Sequence, residues 1–198
     1  MRRLIRTTLP FVVCVGLSLA VLAPEAKAAD HVPPITQMAP GLRVLVSTPA
    51  ILDAVKAQNV KHASLTQKDI DRLDLQWRAE VQASKRPLID SVMNSSTSSV
   101  LKAIQTDSKG LITEIFVMDN RGLNVGQSEV TSDYWQGDEA KFKRSFDISP
   151  TAVFVDKIEQ DESTQEFQSQ LSMTLVDPAD GKSIGAVTIG ISIEHLKQ

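Results

Sequence analysis

Between Glu166 and Ile193 the chain changes face at every residue, and this alternation limits the possible folds more than any other feature. In "EFQSQLSMTLV", Phe167, Ser169, Leu171, Met173 and Leu175 fall on one side and Gln168, Gln170, Ser172 and Thr174 on the other. Period two marks a strand with two unlike faces. After "DPADGK", whose Asp, Pro and Gly are turn formers, "SIGAVTIGISI" sets Val187, Ile189, Ile191 and Ile193 against Ala186, Thr188, Gly190 and Ser192. The pair reads as a hairpin whose last strand is apolar enough to be central. Its face of small residues leaves space beside the backbone, open to a helix or a ligand.

Three further strands precede this hairpin. "ITEIFVMD" and "LNVGQSE" flank the turn "DNRG" at residues 119–122, and "TAVFVDKIEQ" reads as a third strand. The first half of the chain has the helical period instead. In "STPAILDAVKAQN", Thr48 stands at an N-cap and Pro49 at the first helical position. In "LTQKDIDRLDLQWRAEVQASKRP", Thr66 and Asp69 form a near capping box, and Ile70, Leu73, Trp77 and Val81 share one face, with Trp77 read as core. Pro87 ends that helix or opens the next. "PLIDSVMNSSTSSVLKAIQTD" then reads as one or two shorter helices with a serine-rich joint at 95–99. Helices followed by antiparallel strands predict an α+β fold, with long helices packed on one face of a five-stranded antiparallel sheet. One domain over 48–198 accommodates it.

The N-terminus is of another kind. "MRRLIRTTLPFVVCVGLSLAVLAPEAKA" has a basic start, a short apolar run and a final Ala26-Lys27-Ala28. That is the pattern of a secretory signal peptide over 1–28, with cleavage expected after Ala28. Cys14 lies within the apolar run behind Phe11-Val12-Val13, without the small residue a lipoprotein signal places before its cysteine. It is the chain's single cysteine, so the exported part is expected to fold without a disulfide. "ADHVPPITQMAPG", with three prolines and no apolar period, predicts an extended leader over 29–47.

Of 21 basic and 24 acidic residues, residues 1–28 carry four basic (Arg2, Arg3, Arg6, Lys27) and one acidic (Glu25), so the remainder is more acidic than the whole. An acidic domain without a basic block is a poor partner for nucleic acid or an anionic membrane. Motifs for chemistry are thin. His31, His62 and His195 have no metal-ligand spacing. Gly181-Lys182-Ser183 lacks the first glycine of a phosphate loop, Val176 standing in its place, and Ser128 lacks the frame of a nucleophile elbow. The acidic run Asp156, Glu159, Asp161, Glu162 and Glu166 lacks calcium-loop spacing and reads as a solvated hairpin tip. No enzyme, metal or cofactor is expected.

One polar stretch stands out. "TSDYWQGDEAKF" places the only tyrosine, Tyr134, beside Trp135, one of two tryptophans, between predicted strands. Aromatic faces hold amines by cation–π attraction of about 0.5–2 kcal/mol each. Asp133 and Asp138 supply charge for an ammonium, while Lys141 and Arg144 answer a carboxylate. The alternative is that Tyr134 and Trp135 staple a short helix to the sheet, with Asp133 as its N-cap.

These features together resemble the single-Cache domain, the extracytoplasmic PAS-like sensor fold also called PDC. The stretches that carry the resemblance are "VMDNRGLNVGQS", "SDYWQGDEAKF" and "VDPADGKSIGAVTIGI", within residues 48–196. The resemblance implies a long helix before a five-stranded sheet. It also implies a small-molecule ligand held between the sheet and the segment linking the second and third strands. It places Tyr134 and Trp135 near the pocket and acidic contacts from Asp156 or Asp161 on or near the third strand; Asp133, Asp138, Lys141, Ser128 and Thr188 are the further candidate ligand contacts. Most members are input domains of membrane receptors, chemoreceptors or kinases. This sequence has no second apolar run of membrane length and no output module, so the expectation is an exported, periplasmic or secreted domain. It would bind a small polar molecule without chemistry and signal through a membrane-bound partner, possible homodimerisation involving the long helices. The rival expectation is a structural or protein-interaction module of the same fold with its pocket filled by side chains.

Overall fold

The computed structural model describes residues 32–160 and 167–197. Five α-helices lead the chain: α1 (Val32–Val46), α2 (Pro49–His62), α3 (Gln67–Val81), α4 (Pro87–Met93) and α5 (Ser96–Asp107). Then come β1 (Ile112–Asp119), β2 (Asn124–Gln127), the one-turn α6 (Ala140–Lys143), β3 (Val153–Gln160), β4 (Phe167–Val176) and β5 (Ser183–Ser192). The strands form one antiparallel sheet in the order β2-β1-β5-β4-β3. The predicted α+β class holds: hairpin, insert and three-strand meander close into a sheet because β5 returns to the centre and pairs with β1.

Helix α1 corrects the expected leader. Residues 32–46 are helical, with Pro33 and Pro34 in the first turn, where a missing N–H leaves no bond unmade. Ile35, Ala39, Leu42 and Val46 recur along one face and are all buried. The apolar period was there, spread thinly between prolines; residues 29–31 lie outside the described part. Among the described residues no single helix is long and apolar enough to cross a membrane, and α1 and α2, which reach that length together, bend by 80° where they meet.

The sheet's two faces follow from the alternation. Ile115, Val117, Leu171, Met173, Val187 and Ile189 point one way and join Ile35, Val46, Ile51, Val55 and Leu101 of α1, α2 and α5 in the main core. Each fully buried aliphatic side chain contributes about 1.5–3 kcal/mol. Cross-strand register places Phe116, Thr188 and Ser172 in one row on the opposite face. That face is covered by the β2–β3 insert, whose Phe142 packs with Phe116, Met118 and Ala186.

Of the local expectations, the capping box holds and three shift. The Thr66–Asp69 capping box is reciprocal, each side chain accepting from the other residue's backbone N–H. Thr48 has the extended backbone of an N-cap, but its hydroxyl makes no capping bond. The serine-rich joint is shorter than expected, because Ser95 caps α5 at the Ser98 N–H and Ser96 to Ser99 are already its first turn. Asp133 caps no helix. Glu139 precedes α6, and Asp133 faces Arg78 of α3 instead.

Candidate functional site

The insert is fastened before it is shaped. At the β1–β2 turn Gly122 adopts φ 80°, a left-handed conformation costly for other residues. The turn also receives the far end of the insert: Gln136 N–H donates to Gly122 O at 2.8 Å, and Leu123 bridges to Trp135. The Trp135 indole N–H donates to Arg121 O at 2.8 Å. From the helical side, the buried Asp74 carboxylate accepts the amides of Tyr134 and Trp135 at 2.9 and 3.0 Å. Arg78 spans Asp74 and Asp133 at 2.7 and 3.2 Å, and its hydrogen bond to Asp74 holds its guanidinium charge more firmly than usual. The Tyr134 ring stacks on Trp77 at 5.3 Å, and Trp77 donates to Thr131 O.

Held in this way, the insert stands off the polar face of the sheet and leaves a cleft of about 680 Å³. Its floor is Glu114 and Phe116 of β1 with Gln168 and Gln170 of β4. Its roof includes Asp133, Gln136 and Lys141. Glu114 Oε1 accepts from the Gln168 and Gln170 amides at 3.0 and 2.8 Å. Gln136 gives its amide to Asp133 at 2.6 Å, and its own Oε1 is buried without a partner among the described residues. Lys141 pairs with Glu139 at 2.9 Å and lies 5.5 Å from the Phe116 ring centre. Burial pushes the Glu139 carboxyl up, Lys141 pulls it back, and the nearby Asp133 charge raises it again.

Of the residues singled out from sequence, the cleft brings together Asp133 and Lys141. Tyr134 is buried against Trp77, on the helical side of the insert. Trp135 is spent on the turn, and Asp138 is exposed beyond the cleft with its carbonyl accepting from Lys143. Ser128 is buried and its hydroxyl accepts the Ile115 amide. Thr188 shares a 3.0 Å hydroxyl bond with Ser172 beneath the insert. Asp156 accepts the neighbouring Lys157 amide at 2.8 Å. Asp161 lies outside the described residues. Arg144 stacks over Phe154 at 4.2 Å.

The floor residues were missed, although the sequence carried a sign of them. Gln168 and Gln170 continue the polar side of a strand too central to be wetted, so that side must face something polar. Glu114 shares the face of Phe116 and Met118, a carboxylate in an otherwise apolar row. The space expected at the small-residue face is partly filled, since a Cβ at Gly190 would collide with Thr113, Gln168 and Glu114. Among the described residues no group of acidic, histidine or cysteine side chains is arranged to hold a metal ion.

No family model matches the chain, and no curated protein matches it. Solved structures do. The ligand-binding domain of Campylobacter jejuni chemoreceptor Tlp3 in complex with L-norvaline is 16% identical with a TM-score of 0.40, over 73% of this chain and 57% of that one. The sensor domain of the V. cholerae histidine kinase DctB is 8% identical with a TM-score of 0.46, over 87% and 58%. The ligand-binding domain of Pseudomonas fluorescens chemoreceptor CtaA in complex with L-alanine is 11% identical with a TM-score of 0.43, over 86% and 59%. Each is a ligand-binding or sensor domain of a chemoreceptor or histidine kinase. The chain spans less than two thirds of the length of each.

Proposed function

We propose that this protein is an exported sensor domain that binds a small polar molecule, an amino acid, amine or similar solute, without chemistry. The ligand occupies the cleft between the sheet and the insert, and a membrane-bound partner reads its occupancy. The observation that carries the reading is the buried Gln136 Oε1, without a partner among the described residues, in a cleft that the Glu114 carboxylate and Lys141 also line. A buried acceptor without a partner costs about 1–3 kcal/mol, which an ammonium donating to it recovers. Lys141 answers a carboxylate at the other end of an amino acid, and the cleft's volume is that of a small-molecule site. The domain extends from α1 rather than from residue 48, since α1 supplies part of the core.

A thermal-shift screen with amino acids, amines and organic acids tests the reading. A ligand at about 100 times its Kd stabilises the fold by about 2.7 kcal/mol. The expected result is a rise in midpoint with an amine-bearing compound that Glu114→Gln abolishes. The absence of any shift across the screen in a cooperatively folding protein would leave the interaction-module reading in its place.

A further inference from the structure

A second cleft, of about 630 Å³, lies on the other side of the insert, enclosed by α2, α3, α4 and the start of α5. It does not share a lining residue with the sheet-face cleft. Leu65, Leu73, Leu88, Val92 and Val125 give it an apolar body. Two buried polar groups reach it. His62 is held through Nδ1–H by the fully buried Asp119 carboxylate at 2.8 Å, which also accepts Gln58 and two turn amides. That leaves the His62 Nε2 without a partner among the described residues. Tyr134 is 4% exposed and lines the cleft, and its hydroxyl has no hydrogen-bond partner among the described residues either.

The solvent side carries positive charge. Lys61 and Arg72 are exposed lining residues, and Arg72 has only a 3.9 Å approach to Asp69. The first turn of α5 adds Ser96 and Thr97, the positions that the Ser95 cap does not reach. Free first-turn amides and the helix dipole favour an anion. No acidic side chain lines the cleft.

We infer that this helix-side cleft is a second binding site, for a small organic carboxylate with an apolar body. The anion lies at the mouth, between Lys61, Arg72 and the start of α5. The body lies on the leucine and valine floor, and its far end meets the Tyr134 hydroxyl and His62.

Calorimetric titration with hexanoate, hexylamine and hexanol tests this on the purified protein. Hexanoate is expected to bind and the other two to bind at least about tenfold more weakly. The double variant Lys61→Gln/Arg72→Gln, altered only at exposed positions, is expected to raise the hexanoate Kd about tenfold. Tyr134→Phe, which keeps the ring on Trp77, is expected to raise the hydroxyhexanoate Kd, measured with the 6-hydroxy acid, about threefold. Glu114→Gln in the sheet-face cleft is expected to leave hexanoate binding unchanged, which separates this site from the amine site. The inference is overturned if hexanoate fails to bind, if hexanol binds equally well, if the double variant binds hexanoate unchanged, or if Glu114→Gln removes that binding.

Discussion

Ile189 and Thr188 are neighbours on β5, both fully buried, and they face opposite ways. Ile189 meets the aliphatic side chains of the main core, whereas Thr188 meets Ser172 under the insert. Burial is equal and the chemistry is not. The helix-side face gains its stability from apolar area removed from water, a term that adds over many residues. The insert-side face exchanges water for internal hydrogen bonds, each with a net contribution of about 0.5–1.5 kcal/mol. One face holds the fold together by apolar burial, and the other carries hydrogen-bonded polar groups beneath the insert.

The largest effect should come from breaking the apolar side. Ile189→Ala is expected to cost about 2–5 kcal/mol in urea unfolding, against less than about 1.5 kcal/mol for Thr188→Val. Equal costs would end the distinction between the faces. Next, Asp74→Ala removes the acceptor of two insert amides and one arm of the Arg78 clamp. It should destabilise by about 2–3 kcal/mol and weaken the near-ultraviolet circular dichroism of the insert aromatics. Unchanged dichroism would show that Asp74 does not hold the insert. Glu114→Gln should change stability by less than about 1 kcal/mol while weakening amine binding about tenfold, read by calorimetry.

The smallest effect concerns Tyr134, the insert side chain that crosses to the helical side. Burial first, and then the Asp119 charge, push its hydroxyl well above the ordinary value near 10. The folded state therefore keeps its proton while the unfolded state loses it, so stability is full below pH about 10 and falls as pH rises beyond. With one tyrosine in the chain, absorbance at 295 nm reports this group alone. Ionisation at pH 10 in protein still folded by circular dichroism would contradict its burial.

The sheet was legible in the sequence because a period of two with unlike faces has few other solutions, and β4 and β5 follow it closely. The capping box and the prolines at 49 and 87 likewise act within a few residues of themselves. Helix α1 was hidden because three prolines outweighed four apolar residues whose common face emerges only when the core is built. The insert was legible as a polar, aromatic segment between strands, and its geometry less so. The aromatic insert does roof a cleft, but Tyr134 and Trp135 are positioned by partners 57 and 14 residues away, Trp77 and Arg121, which local pattern does not reveal. Glu114, Gln168 and Gln170 come together only through the register of β1, β5 and β4.

The neck where Gly122 meets Gly137 sets a rule for chain length. A Cβ at Gly122 would lie 2.5 Å from the Gly137 Cα, and one at Gly137 would strike the Trp135 indole. The segment between them is therefore a loop tied at its base, with its count of residues fixed wherever it touches the neck. Extra residues fit at the exposed Glu129 and Val130, away from the knot. Relatives that differ in the size of this loop should differ there and keep both glycines.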